Sequence, residues 1–411
     1  PERCEQHDGD EGAGGSHRRH SSPWGCPGRV ETMSTYDLVA DLPVRIDAYA
    51  LEPLQQDVSS DFTRKSTVIR LAGAGEDGVG EDVVYDAVDH EIAQEAGPNL
   101  PLAGDWTIRT FSEHLATLEL FPKEPQRDVS RLYRTWAYES AALDLALRQA
   151  GEPLHAVLGR EPRPLTFVVS LRLGEPPTLQ PVTRRLERYP TLRFKLDPTV
   201  SWDETLIAGL VATGAVDSVD FKGLYTGTIV DAPADPVLYR RVVEAFPDAW
   251  IEDPKLTPEI DELLAPHRSR ITWDANIHSI ADIEGLPFAP RMVNLKPSRL
   301  GAVKPLFDAY DYCAARDIGA YGGGQFELGP GRGQIQYLAS LFHADTPNDT
   351  SPSGFHVMDP PPGLGASPLD PAPSATGFRW GETTRSPAQA PGSGSSRPAR
   401  EARPGQSPRL P

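Results

Sequence analysis

In the stretch VNLKPSRLG, residues 293–301, a lysine ends an apolar run. This pattern indicates the fold of a large part of the chain. Val293 and Leu295 are typical of a buried strand, and the proline and glycine after Lys296 are typical of the loop that follows. The same succession of a short apolar run, a polar residue and a loop recurs along the chain. The six other runs are TFVVSLRL (166–173), LRFKLDP (192–198), SVDFKG (218–223), AWIEDP (249–254), ITWDANI (271–277) and IGAYGGG (318–324).

Helical stretches separate these predicted strands. In residues 235–246, Asp235 is a suitable N-cap and Pro236 suits the first turn of a helix. Strands that alternate with helices predict a parallel sheet and an α/β fold. The seven or eight units and the lack of a glycine-rich phosphate loop after the first strand favour a (β/α) barrel over an open doubly wound sheet.

The residues before the barrel predict a mixed α+β region. Residues 44–51 and 66–73 alternate like two strands of a meander. The polar residues 52–65 between them predict a flexible loop. Residues 127–153 predict a long helix that ends at a glycine and a proline.

These patterns predict two folded domains and two tails. The α+β region is expected to form one domain over residues 41–150, and the barrel to occupy residues 151–360. Residues 1–40 and 361–411 are predicted to be disordered, because the first segment has little apolar periodicity and the second is rich in Pro, Ser, Gly and Arg. Met33 is a candidate for the biological start.

The composition disfavours several classes of partner. A formal net charge of −18 disfavours a nucleic acid and favours a cation or a small molecule. No apolar run approaches the ~18 residues of a membrane helix, and the N-terminus has no apolar signal-peptide core. The three cysteines form no CxxC pair, which predicts a reducing, cytoplasmic location.

Ionisable side chains stand at the ends of five consecutive predicted strands. They are Lys195, Asp220, Glu252, Asp274 and Lys296. All strand C-termini of a parallel barrel open on the face that holds the active site, so these side chains are predicted to converge. Three carboxylates close together repel unless a cation or protons bridge them, and hard oxygen ligands suit Mg²⁺. The alternative for each acid is a helix cap or an arginine pair.

The two lysines are predicted to lie on opposite sides of the barrel axis, with the acids between them. Burial beside a divalent cation lowers the pKa of a lysine, which could then act as a base at neutral pH. Two facing lysines could remove a proton from either face of a bound carbon. A structural salt bridge to the acids is the alternative, but we interpret Lys296 as an acid/base group.

Four more residues are candidates for substrate binding or auxiliary roles: Arg193, Lys222, Asn276 and Glu327. Arg193 could lower the pKa of Lys195 or bind a carboxylate. Lys222 could bind a second anionic group of a substrate or pair with Asp253. Glu327, on a glycine-rich turn, could accept a hydrogen bond from a substrate carboxyl, orient Lys296, or be an ordinary loop acid.

The chain resembles the enolase superfamily within its muconate-lactonizing-enzyme subgroup, whose relatives include muconate cycloisomerases, o-succinylbenzoate synthases and N-acylamino acid racemases. The resemblance covers roughly residues 42–358. The motifs that carry it are RFKLD, VDFKG, WIEDP, TWDANI, NLKPSRLG and GGGQFELGPGRG, with the helix YESAALDLALRQAGEPLHAVLGR leading into the barrel. The chain departs from the family pattern at Arg193, where a lysine is usual, and at Lys222, where a neutral or acidic residue is usual.

The resemblance implies a (β/α)₇β barrel of the TIM type with an α+β capping domain, whose loop near residues 53–65 closes over the substrate. It also implies one Mg²⁺, with Mn²⁺ as an alternative, held by Asp220, Glu252 and Asp274. The shared chemistry is removal of the proton α to a carboxylate and stabilisation of the enediolate by the metal and nearby cations. Lys195 would be the base on one face and Lys296 the acid or base on the other. Dimers or octamers are implied as the oligomeric state.

The leading hypothesis is therefore a Mg²⁺-dependent lyase or isomerase that acts on a small carboxylate. Cycloisomerisation, syn-dehydration and epimerisation of an N-acylated amino acid or dipeptide all remain open, because specificity depends on the cap and the side chains at the barrel mouth. One alternative is an acid-sugar dehydratase, for which the sequence offers no clearly placed histidine as general acid. The other is a non-catalytic barrel that binds an anion.

Overall fold

The computed structural model describes residues 33–58, 62–225 and 232–381. The outer parts of the two tails that were predicted to be disordered, residues 1–32 and 382–411, lie outside the described residues. Among the helices of the described part, none has both the length and the apolar character needed to cross a bilayer.

The N-terminal part is built from antiparallel strands and helices. Its elements are α1 (Asp37–Ala40), β1 (Pro43–Ile46), β2 (Ala48–Val58), β3 (Phe62–Gly73), β4 (Glu76–Asp82), α2 (Ala87–Ala96), β5 (Gly104–Thr107), α3 (Ile108–Leu115) and α4 (Ser130–Ala150). β2, β3 and β4 form a three-stranded antiparallel sheet, and β1 pairs with β5. This arrangement is an antiparallel capping region, as predicted.

The long predicted helix is confirmed as α4, and it packs against β4. Glycines on β4 allow the helix to approach closely, since a Cβ at Gly80 would lie 2.0 Å from the carbonyl oxygen of Ala137. The helix is followed by Gly151 in the left-handed conformation, with φ 73°. Trp136, Leu143 and Leu147 are buried.

The second part alternates strands with helices. Its elements are α5 (Leu154–Val157), β6 (Val169–Leu171), α6 (Gln180–Arg188), β7 (Phe194–Leu196), α7 (Glu204–Thr213), β8 (Val216–Asp220), α8 (Pro236–Ala245), β9 (Trp250–Glu252), α9 (Pro258–Leu264), a 3₁₀ helix (Ala265–Arg270), β10 (Ile271–Trp273), α10 (Ile280–Glu284), β11 (Met292–Asn294), α11 (Pro297–Leu300), α12 (Val303–Ala315), β12 (Gly319–Tyr321), α13 (Pro330–Phe342) and a second 3₁₀ helix (Ser353–His356). All seven predicted strands are confirmed.

The strands β6 to β12 form one parallel sheet in sequential order, which confirms an α/β fold. Three of these strands, β7, β10 and β11, are buried at every position, because helices cover the outside of the sheet. The segment at residues 348–349 lies between the two sheet edges. Asn348 forms a parallel bridge to Phe167, just before β6, and Asp349 forms one to Gly323, just after β12.

The predicted loop over residues 52–65 is wrong. β2 and β3 occupy the described residues of this segment, 52–58 and 62–65, and they pair as an antiparallel ribbon from Glu52 with Val68 to Val58 with Phe62. Many residues of β2 remain exposed or half-buried, so the ribbon carries little of the alternating hydrophobic signal that would identify strands in the sequence.

The predicted N-terminal tail ends too late, and the predicted C-terminal tail begins too early. Residues before 41 form α1, where Val39 and Ala40 are fully buried. Residues 361–381 are described as well, and Phe378 is fully buried while Trp380 is 8% exposed. These segments are part of the fold because a few large apolar side chains anchor otherwise polar and Pro-rich stretches.

Candidate active site

The ends of neighbouring strands bring Lys195, Asp220 and Glu252 together. Asp220 and Glu252 are directly paired in register on β8 and β9. The Nζ atom of Lys195, on β7, lies 3.1 Å from Asp220 Oδ2 and donates a hydrogen bond to Glu252 Oε1. All three side chains are buried, so their charges interact in a poorly hydrated environment.

A second group of charges surrounds Asp274, which directly follows β10. Lys296, directly after β11, donates a hydrogen bond of 2.9 Å to Asp274 Oδ2. Arg299, one helical turn further on, places its NH1 atom 2.8 Å from Oδ1 of the same carboxylate and also donates to the Asp274 carbonyl oxygen. The Tyr225 hydroxyl donates to Asp274 Oδ2 at 3.3 Å. Asp274 is therefore surrounded by donors.

Asp253 connects the two groups. Its carboxylate accepts hydrogen bonds from the backbone amides of Asp274, at 2.8 Å, and Ala275, at 2.9 Å. One carboxylate oxygen from each of Asp220, Glu252 and Asp253 lies within 4.8 Å of the other two. The sequence pattern suggested Asp274 as the third acid, whereas the described residues bring Asp253 closest to the first two.

Burial and the neighbouring charges shift the pKa values of these acids in different directions. Burial raises the pKa of Asp220, but Lys222 and Lys195 outweigh it and hold that pKa below its ordinary value. Burial also raises the pKa of Asp274, but the charges of Arg299 and Lys296 outweigh it and lower that pKa below its ordinary value. Burial dominates at Glu252, where the pKa is raised despite Lys195. It also raises the pKa of Asp253 to about 7.

The pKa values of the two lysines are also shifted in opposite directions. Burial lowers the pKa of Lys296 below its ordinary value, although Asp274 opposes this shift. Burial also acts on Lys195, but Glu252 and Asp220 together raise its pKa well above the ordinary value. The lowered pKa predicted for a lysine beside a divalent cation stays a prediction for Lys195.

Lys222 and Glu327 lie among buried charges, as two of the four auxiliary candidates. The Nζ atom of Lys222 donates a hydrogen bond to Asp220 Oδ2. Glu327 accepts a hydrogen bond from the Gln325 amide at 2.6 Å and forms an ion pair of 3.0 Å with Arg332. Its predicted contact with a substrate carboxyl or with Lys296 stays a prediction.

The other two auxiliary candidates differ from each other. Asn276 follows Asp274 by two residues, and its Oδ1 atom is buried without a hydrogen-bond partner. Arg193 is not brought to the acids. Its guanidinium pairs with Asp217, with Nε 2.8 Å from Oδ1, and 41% of its side chain is exposed. The guanidinium of Arg193 therefore contacts Asp217 and not the acids around Lys195, so the predicted effect of Arg193 on the pKa of Lys195 has no support from its contacts.

Besides Asp253, sequence reasoning missed three other members of this site. Arg299 has a readable signal, because it stands three residues after Lys296 and so returns to the same side of a helical turn. Asp349 lies 3.7 Å from the Lys195 ammonium, but it belongs to no regular strand. Tyr225 follows β8 in a loop, where spacing carries little information.

The acids fit a hard divalent cation. Glu252 Oε2 is buried and has no hydrogen-bond partner, which is an energetic cost that a metal ligand would remove. The available donors are carboxylate oxygens, and the described residues place no cysteine or histidine among the three clustered acids. Such a donor set suits Mg²⁺ or Mn²⁺. Asp220 and Glu252 could hold the ion together with Asp253 or Asp274.

Comparisons with known proteins agree with this architecture. Two models of one family, described as the N-terminal and C-terminal domains of a domain of unknown function (DUF8230), match residues 37–157 and 161–357. The chain is 24% identical to an o-succinylbenzoate synthase of Geobacillus stearothermophilus, over 77% of this chain and 87% of the relative. It is 27% identical to an N-succinylamino acid racemase of Amycolatopsis sp, over 79% of this chain and 93% of the relative.

Solved structures share the fold. The muconate cycloisomerase of Pseudomonas fluorescens superposes with a TM-score of 0.57 at 17% identity, over 82% of this chain and 94% of that chain. Other members of the enolase superfamily superpose comparably. The chain thus belongs to the family of the two matching domain models, shares the fold of solved enolase-superfamily structures, and is similar to curated enzymes over most of its length.

Proposed function

We propose that this enzyme removes the proton α to a carboxylate of a small substrate, with Lys195 and Lys296 as the acid/base pair. One observation carries the proposal. The two buried lysines stand on β7 and directly after β11, and the intervening strands β8, β9 and β10 supply the acids between them. A substrate carboxylate held at the acids would therefore have one lysine on each side of its α-carbon.

In the proposed reaction, the neutral amine of one lysine takes the α-proton, and the electron pair moves into the substrate carboxylate. The resulting enediolate carries extra negative charge, which Arg299 and the second lysine stabilise as fixed nearby cations. A divalent cation bound at the acids would supply further electrostatic stabilisation of that charge. The second lysine, as an ammonium, can return a proton from the opposite face.

The curated relatives support a substrate that carries a succinyl group. Both proteins reported above contain this group in their names, one as a synthase of o-succinylbenzoate and one as a racemase of N-succinylamino acids. We therefore propose dehydration to a succinyl-substituted product, or racemisation of an N-succinylated amino acid, ahead of cycloisomerisation. The muconate cycloisomerase supports only the fold, because its identity to this chain is low.

The finer architecture belongs to the same proposal. We propose that residues 348–349 complete the parallel sheet as the eighth strand of a (β/α)₇β barrel, because they bridge to both of its edges. The cap would occupy residues 41–150 with α1 added to it, and the barrel would begin at residue 151 and include residues up to 381. A homo-oligomeric state and a cytoplasmic location stay predictions from the sequence.

The proposal predicts exchange of the substrate α-proton with solvent. The wild-type enzyme would be incubated in D₂O with MgCl₂ and with both enantiomers of N-succinyl amino acids, with succinylbenzoate precursors and with acid sugars, and deuterium uptake followed by NMR. Lys195→Arg and Lys296→Arg preserve the charge but cannot lose a proton at neutral pH. Each is expected to slow exchange by roughly 10²–10⁴-fold.

Lys123→Arg is the matched control, because Lys123 is exposed and the substitution is the same. It should exchange at the wild-type rate. Exchange confined to the acid sugars would support the dehydratase alternative and contradict a succinyl substrate. Exchange that survives in both lysine variants would contradict the assignment of the two bases.

A further inference from the structure

Lys222 places an additional ammonium group directly on a predicted metal ligand. Its Nζ atom hydrogen-bonds Asp220 Oδ2, and its backbone amide donates to Asp220 Oδ1 at 3.0 Å. Asp220 is fully buried, while the Lys222 side chain is 17% exposed. Both oxygens of this carboxylate are thus engaged by a residue only two positions away in sequence.

The backbone of Lys222 is strained in a way that supports this contact. Its φ of 53° lies in the left-handed region, which non-glycine residues rarely adopt. Such conformations persist where surrounding contacts determine them, and they cluster at functional sites. The turn after β8 therefore holds the lysine over the acid instead of directing it into solvent.

A second carboxylate lies within reach of the same ammonium. Asp197, directly after β7, has its Oδ1 atom 3.8 Å from Lys222 Nζ, while its Oδ2 atom accepts a hydrogen bond of 3.0 Å from Arg172. The Oδ1 atom is buried and has no hydrogen-bond partner. Leaving a buried carboxylate oxygen unpaired is costly. If the lysine moved slightly toward Asp197, a new hydrogen bond to this oxygen would compensate for the one lost at Asp220.

The ammonium and a divalent cation cannot both occupy Asp220 without repulsion. Two positive charges on one buried carboxylate repel strongly, because little water screens them. A metal ion at Asp220 therefore requires the lysine to move, and the unpaired oxygen of Asp197 provides a place for it.

We propose that Lys222 competes with the divalent cation for Asp220 and transfers to Asp197 when the cation binds. The inference rests on the proposed function in one respect, namely that Asp220 is a ligand of the ion. It assigns Lys222 a role in setting metal affinity, and it makes Asp197 the residue that accepts the displaced charge.

Two consequences for Mg²⁺ affinity follow. Removing the competing ammonium in Lys222→Met should tighten Mg²⁺ binding at least roughly tenfold. Removing the accepting carboxylate in Asp197→Asn should weaken binding, because the displaced lysine has no second partner. Loss of a nearby negative charge would also weaken binding, so the decisive comparison is Asp197→Asn in the wild-type and Lys222→Met backgrounds.

The experiment is isothermal titration of MgCl₂ into the full-length protein and these variants, without substrate. Lys222→Gln serves as a second variant, and thermal unfolding establishes that each variant folds. Lys123→Met is the matched control for loss of one exposed positive charge. We expect tighter binding in both Lys222 variants, unchanged binding in the control, and a smaller effect of Asp197→Asn when Lys222 is absent.

Different failures have different meanings. Equal Mg²⁺ affinity in the wild type and in both folded Lys222 variants would overturn the competition but leave the metal site intact. An equal effect of Asp197→Asn in both backgrounds would overturn the transfer to Asp197. Lack of Mg²⁺ binding by the wild type and every folded variant would overturn this inference together with the metal assignment.

Discussion

Asp253 owes its place in the site to its backbone conformation. Successive residues of a regular strand point to opposite faces, so in a regular strand Asp253 would point away from Glu252. Its φ of 46° breaks this alternation. Two backbone amides then fix the carboxylate beside the other acids. The strand-end residues were readable from spacing, whereas Asp253 was not, because a left-handed residue leaves no signature in an aspartate–proline pair.

Glu139 predicts a pH dependence of stability that is separate from the site. Burial raises its pKa to about 7, although its carboxylate accepts hydrogen bonds from the Ser112 hydroxyl and from the Val303 amide at 2.7 Å. The folded state therefore retains a proton that the unfolded chain releases near pH 4.5. The contribution of this group to the free energy of unfolding is present below about pH 4.5 and is lost as the pH rises to about 7.

Glu139→Gln should remove this dependence, because the amide is neutral and retains both an acceptor and a donor. The measurement compares urea unfolding at pH 5 and pH 8 for the two proteins. The loss of stability between these pH values should be smaller in the variant, by on the order of 2 kcal/mol. An identical loss in both proteins would show that Glu139 does not titrate in this range.

Among the strands, those with both faces buried can be recognised from the sequence more easily than those with an exposed face. The seven strands of the parallel sheet were readable because each is a short apolar run between helices. The ribbon of β2 and β3 is predicted to be a loop because its residues are mostly polar, and in β2 most of them are exposed or half-buried. Its polar composition resembles that of a loop, and only the pairing of the two strands distinguishes it.

The N-terminus of α13 depends on an acid from the cap. This helix has no side-chain N-cap of its own. Glu81, on β4, instead accepts hydrogen bonds from the amides of Leu328 at 2.6 Å, Gly329 at 2.9 Å and Gly331 at 3.0 Å. A carboxylate at a helix N-terminus satisfies backbone donors and complements the helix dipole. Glu81 thus fixes the loop that carries Glu327.

Glu81→Ala should therefore lower the free energy of unfolding by about 2–3 kcal/mol, because several buried amides lose their acceptor. Glu81→Gln retains one acceptor oxygen and should lose less. The matched control is Glu95→Ala, at an exposed glutamate of α2, which should change stability by less than about 0.5 kcal/mol. Urea unfolding of the three variants tests this order, and equal losses at the two positions would contradict it.

At the level of the whole molecule, the segment at residues 361–381 contacts both the antiparallel N-terminal part and the part that carries the parallel sheet. Arg379 bonds Asp144 of α4 at 2.8 Å and Asp77 of β4 at 3.2 Å. The ring of Phe378 packs against Trp136 of α4 and Tyr337 of α13. Composition alone predicted a disordered tail, because a few buried contacts cannot be recognised among so many prolines and glycines.

These contacts predict that a short C-terminal segment stabilises the entire fold. Phe378→Ala removes a fully buried ring and should lower the free energy of unfolding by about 3–5 kcal/mol. Phe378→Leu preserves most of the apolar volume and should lose less. Met358→Ala, at a residue that is 63% exposed, is the control and should have little effect.

A chain that ends at Thr376 tests the same prediction without a cavity, in comparison with one that ends at Gly381. Only the longer chain retains the Phe378 ring and the Arg379 ion pairs, which join α4, β4 and α13. Because these elements belong to both the antiparallel N-terminal part and the part that carries the parallel sheet, the longer chain should have a clearly higher thermal midpoint than the shorter chain. Equal midpoints would mean that the segment merely covers surfaces that are stable without it.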